Sequence, residues 1–403
     1  MVRRSALLLG ALSGANALSC SSSVLQHAKP ALVARRPAIF MADVPTVKTA
    51  AGFDEESTAA SDIVVPGSVG GGEQASGLVV PSGTQQPASK QEDGLQRTLV
   101  TTSLFALWYI FNIINQIYNK RALNALPIPY SMATFQLFVG IPYVMLLWGS
   151  GLRKAPKLSA ANVKTLFPIS VLNLGTHLGA VVSLSAGAVS FTHIVKASEP
   201  VVSAALSAVL LGTIYTPMVY LTLIPIVGGV ALASFKELSF TWLGFIAAMG
   251  SNLSSALRAI LAKKTMTKSN VGENMGEANL FAVLTILAFI VCLPISLAIE
   301  PPRAIAAAFS SALAAGHSQK YLWTCSILSG LFFYLYNEVA FLALGRVMPV
   351  THAVANTVKR VVIVVASVIA FRTPISTLGV VGSSVALTGT LLYSLAKQKS
   401  DGK

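Results

Sequence analysis

The chain has 403 residues, is 54% hydrophobic and carries only 11% charged residues, well under the roughly 25% of ordinary globular chains. That composition excludes a soluble globular protein. Its net charge of +14 lies wholly after residue 97: residues 1–97 hold eight basic and eight acidic side chains, residues 98–403 hold 21 and seven. An excess of cations can signal nucleic acid, but these sit in or beside apolar runs, which argues against that partner. Three cysteines, Cys20, Cys292 and Cys325, form neither a disulfide framework nor a metal-ligand spacing, so no metal or cofactor is expected.

In chain order, residues 1–17 have the form of a signal peptide: Arg3-Arg4, a Leu/Ala-rich run, then Ala15-Asn16-Ala17. Residues 18–42 lack acids and carry serines with Lys29, Arg35 and Arg36, as a transit peptide does. Residues 43–96 are rich in Gly, Ser, Pro, Gln and acids and read as a disordered spacer.

The remainder, 97–400, contains ten apolar stretches near the 20 residues a bilayer needs. They fall at about 98–118, 130–150, 163–186, 190–212, 216–235, 239–262, 277–298, 321–345, 349–371 and 376–396. The fold class expected is an all-α polytopic membrane protein with ten transmembrane helices. Phe191-Thr192-His193 and Val350-Thr351-His352 open the fourth and ninth stretches, 159 residues apart. Thr216-Pro217 and Thr373-Pro374 open the fifth and tenth, 157 apart. This echo divides the region into halves of about 98–236 and 237–396. Five spans per half force opposite orientations, the inverted-repeat plan of many transporters.

Lys359-Arg360 lies in the middle of the ninth stretch. A central cation costs roughly 2.5–3.5 kcal/mol on insertion scales, and no acid in that run offsets it. His352, Asn356, Lys359 and Arg360 share one helical stripe. On the fourth stretch His193 and Lys196 share a face, with Glu199 three residues on. Arg258 follows a serine-rich turn of the sixth, Tyr336-Asn337-Glu338 sits in the eighth and His177 in the third. Each has a structural alternative. Lys196 could pair with Glu199, Glu338 with a cation on the ninth helix, and Arg258 could snorkel towards Lys263-Lys264. A fixed Arg fork and Lys point charges suit a phosphate dianion. An empty site with three uncompensated cations would resist closure, which predicts obligatory exchange. Paired aspartates and a His-Glu-x-x-His motif are both missing, so an intramembrane enzyme is not expected.

Four segments carry a resemblance: Val189–Pro200, Glu237–Phe245, Tyr336–Glu338 with Arg346–His352, and Asn356–Val362. Together they resemble the plastid phosphate translocators of the drug/metabolite transporter superfamily, in order across 98–400. The resemblance implies residence in the innermost plastid envelope membrane and, with the two-part address, a complex plastid. It implies that Lys196, Lys359 and Arg360 grip phosphate while His177, Arg258 and Tyr336 contact the rest of the substrate. Ala180 stands where the triose-phosphate type usually has a hydroxyl residue, as in hexose-phosphate members. His177 and the Tyr336-Asn337 pair argue against the phosphoenolpyruvate type, and Glu338 replaces the usual Gln. The expected activity is exchange of inorganic phosphate for triose phosphate or 3-phosphoglycerate. Pentose- or hexose-phosphate exchange is the alternative, and a Golgi nucleotide-sugar carrier a more distant one.

Overall fold

The computed structural model describes residues 94–401 except 236, 238, 267–270, 345, 348 and 374–375. The signal-like, transit-like and spacer readings on 1–93 lie outside the described residues. Within hydrocarbon the backbone must satisfy its own hydrogen bonds, so spanning segments close into helices. Among the described residues twelve are present: α1 Gly94–Ala125, α2 Pro129–Gly149, α3 Ala160–Ala186, α4 Val189–Lys196, α5 Glu199–Leu211, α6 Pro217–Phe235, α7 Trp242–Met266, α8 Glu277–Ile299, α9 Pro302–Ala314, α10 Gln319–Leu344, α11 Pro349–Phe371 and α12 Thr377–Asp401. Ten membrane spans result among the described residues, with α4 and α5 together forming the fourth span and α9 too short to cross. The interior prolines Pro142, Pro168, Pro225 and Pro294 are kept within helices, as neighbouring spans allow in membranes.

Three departures from the expected spans have local causes. The first helix runs on to Ala125 because its cations do not end it: Lys120 Nζ donates to the Leu184 and Gly187 carbonyls, both at 2.7 Å, and the Arg121 guanidinium lies 5.8 Å from the Tyr118 ring centroid. The fourth span is broken at Ala197-Ser198, just before Pro200, which favours the first turn of a new helix. The amphipathic α9 was not anticipated. It presents Ile305, Ala308, Phe309 and Ala312 to a core cluster at i, i+3, i+4 and i+7.

The closest long-range pairings are α12 along α6, α10 along α1 and α7 along α3, followed by α2 along α8. The α3–α7 seam is tight because of two glycines. A Cβ on Gly175 would come within 2.6 Å of Ser254 Oγ, and one on Gly179 within 2.8 Å of the Ala247 carbonyl. Gly175 and Gly179 are four apart, the small-residue spacing that lets membrane helices approach. Continuity of α3 through Asn173, Gly175 and His177, the least regular stretch of the expected spans, follows from that seam.

The loop after α2 folds back onto the bundle. Arg153 forms an ion pair with Glu338 of α10, beside Tyr143 and Tyr334. Burial pushes the Arg153 guanidinium down, but the Glu338 carboxylate outweighs this and holds it above its ordinary range. Glu338 therefore serves a loop cation, not one on the ninth span as the sequence alternative had it. The Lys157–Glu273 pair nearby, at 2.8 Å, is exposed on both sides and adds little.

Candidate functional site

The break in the fourth span places charges where helix ends favour them. Lys196 is the last residue of α4, where the helix dipole is negative, and Glu199 opens α5, where it is positive. Both are fully buried. Lys196 Nζ donates to Ser251 Oγ of α7 at 2.6 Å, and Ser251 Oγ donates in turn to the Thr176 carbonyl at 2.7 Å. Glu199 Oε1 accepts from Ser255 Oγ at 2.5 Å.

The other carboxylate oxygen of Glu199 meets α11. Arg360 Nη2 donates to Glu199 Oε2 at 2.7 Å, across 161 residues of sequence. This corrects two expectations. Arg360 has an acidic partner, and that partner is Glu199, not Glu338. The site accordingly does not hold three uncompensated cations. Arg360 is 2% exposed, and its Nε and Nη1 have no hydrogen-bond partner, so one edge of its fork remains able to donate.

Lys359, 1% exposed, is held differently. Its Nζ lies 4.7 Å from the Trp108 ring centroid of α1, a cation–π contact in a dry setting. Arg258 of α7 is fully buried and donates from Nη1 to Asn173 Oδ1 at 3.0 Å, so it does not snorkel. One turn separates it from Ser255, which holds Glu199.

Four of the seven expected site residues line one cavity of about 30 Å³: His177, Ala180, Lys196 and Tyr336. Asn115, Gln116, Asn119, Gln136, Thr192 and His193 complete its polar wall, with Gln136 Nε2 donating to Asn119 Oδ1 at 2.8 Å. His177 stacks at 4.1 Å, tilted, on Phe333 and places Nε2 3.3 Å from the Ala133 carbonyl. Lys359, Arg360 and Arg258 are not on that wall. Arg360 joins it through Glu199, one turn beyond Lys196. Sequence reasoning missed Trp108 as the aromatic seat of Lys359; nothing in the first span marked it. Glu199 as the counter-ion of Arg360 was also missed, because the i+3 spacing to Lys196 drew attention first. Among the described residues, no His/Cys/Asp/Glu group could hold a metal ion.

Comparison with known proteins extends these observations. Residues 99–394 match the model of the Triose-phosphate Transporter family. The chain is 41% identical over 313 residues to a chloroplastic phosphoenolpyruvate/phosphate translocator 1 of Oryza sativa subsp. japonica, covering 78% of this chain and 76% of that one. It is 41% identical over 307 residues to the chloroplastic triose phosphate/phosphate translocator of Spinacia oleracea, covering 75% and 73%. It is 37% identical over 317 residues to the chloroplastic glucose-6-phosphate/phosphate translocator 1 of Arabidopsis thaliana, covering 79% and 80%. Ten spans around a buried cationic centre, matched over nearly the whole membrane region, mean that this chain belongs to the Triose-phosphate Transporter family.

Proposed function

We propose that the protein is an antiporter that exchanges inorganic phosphate for triose phosphate or 3-phosphoglycerate by alternating access, in the innermost envelope membrane of a complex plastid. The observation that carries this reading is the buried group Lys196, Lys359, Arg360 and Glu199, drawn from two different spans. These three cations less one carboxylate leave about the charge that a phosphate monoester dianion balances, and Arg258 adds a fourth buried cation beside them. Lys196 would meet the phosphate from the α4 end, Lys359 and the donors of Arg360 from α11. His177, Arg258 and Tyr336 would meet the carbon skeleton. Relatives bearing the names of triose-phosphate, phosphoenolpyruvate and glucose-6-phosphate translocators support phosphate exchange as the shared activity and a non-enzymatic role.

Alternating access needs halves that rock about the site. The pairing of α3 with α7 and of α10 with α1 supports this. Exchanging the third span for the eighth and the sixth for the first turns one pairing into the other, as two inverted five-helix repeats require. With the site empty, Glu199 takes the place of the travelling anion on Arg360. A bound phosphate would replace that bridge with a stronger, multidentate one.

Lys120 acts in this scheme as a latch. It ties α1 to the turn between α3 and α4 through two charge-assisted hydrogen bonds, beside Leu184, which lines the cationic cavity. Each such bond is worth about 1.5–3 kcal/mol, so Lys120→Met should favour opening at that end. A cysteine placed at Ala180 is expected to react at least tenfold faster with a polar thiol reagent in the Lys120→Met background. An unchanged rate would remove the latch.

A second reading, hexose-phosphate exchange, is favoured by one observation. Ala180 lines the cavity without a hydroxyl, which leaves space and removes a donor. Phosphate uptake into proteoliposomes preloaded with phosphate, dihydroxyacetone phosphate, 3-phosphoglycerate, phosphoenolpyruvate, xylulose 5-phosphate or glucose 6-phosphate tests both. Phosphate itself should support homoexchange, and triose phosphate and 3-phosphoglycerate should support uptake severalfold better than phosphoenolpyruvate, xylulose 5-phosphate or glucose 6-phosphate, a margin that Ala180→Ser should widen. Equal or greater uptake against glucose 6-phosphate would favour the second reading, and rapid uptake into empty vesicles would overturn exchange.

A further inference from the structure

A second cavity of about 360 Å³ lies apart from the cations, bounded by α2, α8, α9 and α10. Its wall is aromatic. Phe135 and Trp323 have ring centroids 6.1 Å apart, Phe138 and Phe289 5.8 Å, and Phe309 and Trp323 5.6 Å. Four hydroxyl residues, Ser131, Thr134, Ser296 and Ser326, also line it, and Ser131 Oγ and Ser296 Oγ approach to 3.4 Å. The cavity opens sideways: Phe138 is 46% exposed, Leu297 42% and Trp323 43%. These residues belong to spans, so the medium at that opening is bilayer hydrocarbon.

The geometry sets the length of an occupant. Ser131 and Phe138, like Phe289 and Ser296, are seven residues apart, about 10 Å of helix, against roughly 15 Å for one leaflet's hydrocarbon. The apolar wall rejects a phosphorylated metabolite and accepts a chain of methylenes. The roof is α9, whose Phe309 lines the groove. At 13 residues and with one apolar face, it has the build of a helix lying in the membrane interface. Two exposed cations flank it. Arg303 lies in the first turn of α9, and Lys320 one turn before Trp323 in the first turn of α10. Basic residues at that level attract anionic headgroups.

We propose that this groove is a binding site for one acyl chain of an anionic bilayer glycerophospholipid, with its phosphate at the level of Arg303 and Lys320. The site is independent of the cationic cavity and of the exchange reaction. It makes one lipid part of the scaffold on which α10 rests.

The test uses the full chain in mild detergent with phosphatidylglycerol carrying a diazirine halfway along one acyl chain, and mass spectrometry to map the adducts. Labelling at Phe135, Phe289 and Trp323 is expected to exceed that at Ile224 and Val227, exposed on α6, by at least fivefold, and to saturate near one adduct per chain. Ser296→Phe, which fills the groove, should reduce it at least fivefold with the labelling of α6 unchanged. Arg303→Ala with Lys320→Ala should lower labelling by phosphatidylglycerol several-fold but not by a phosphatidylcholine probe of the same chain. Equal, non-saturating labelling of groove and α6 would mean ordinary annular lipid and overturn the proposal. So would labelling indifferent to Ser296→Phe. If that variant loses its thermal unfolding transition, saturation in the wild type decides alone.

Discussion

Lys359→Ala is expected to reduce phosphate exchange by two to three orders of magnitude while the protein still folds and inserts. A buried lysine that meets a phosphate makes a charge-assisted contact, and truncating one partner of such a pair costs about 2–5 kcal/mol. At 1.4 kcal/mol per decade, that range brackets the expected loss. Folding should survive because Lys359 rests on the Trp108 face. Lys359→Arg should recover only part of the activity, since a planar fork cannot replace a compact ammonium in the same space. Proteoliposome exchange together with a thermal unfolding profile measures both quantities. Near-normal exchange by the alanine variant would take Lys359 out of the site and with it the assignment of the phosphate pocket.

Glu199→Gln acts in the opposite sense. Breaking a buried pair from one side typically costs 3–5 kcal/mol, because the remaining charge is left uncompensated. The empty variant should therefore unfold at a markedly lower temperature than the wild type. Phosphate should restore more stability to the variant than it adds to the wild type, because it then meets an Arg360 that no carboxylate occupies. The same logic predicts a lower KM for phosphate with a lower maximal rate: an anion held too well is released slowly. A double-mutant cycle with Arg360→Gln separates this from general damage. If Glu199 acts through Arg360, the double variant should be more stable when empty than Glu199→Gln alone. Additive losses would show that the two residues stabilise the fold independently.

The membrane architecture was legible because a bilayer imposes a length on apolar runs, and nine of the ten spans are helices continuous across that length. The break at Ala197-Ser198 was also written in the sequence, in Pro200, but a continuous apolar run hid it. The amphipathic α9 escaped for a different reason. At 13 residues it falls below the length of a span, and only its inward-facing period marks it. The site was legible as chemistry: a charge in a span is expensive, so Lys196, Arg258, Lys359 and Arg360 announce themselves. Their partners were not. Glu199 and Arg360 are 161 residues apart, and Arg153 and Glu338 are 185 apart. Helix packing alone decides which acid meets which base. Spacing along one helix suggested Lys196 with Glu199, yet both oxygens of Glu199 are engaged by α7 and α11.

The pairing of Arg360 with Glu199 also bears on electrical behaviour. A charge carried across the membrane exchanges about 2.3 kcal/mol with every 100 mV of potential. Glu199 offsets one of the four buried cations Lys196, Arg258, Lys359 and Arg360, so a bound dianion would leave the loaded centre within about one charge of neutrality, and a nearly neutral centre feels little pull as it changes sides. Without that carboxylate each loaded crossing would carry about one more positive charge, so its rate would depend more steeply on voltage, while the direction of exchange would not change because the same charge returns with the carrier.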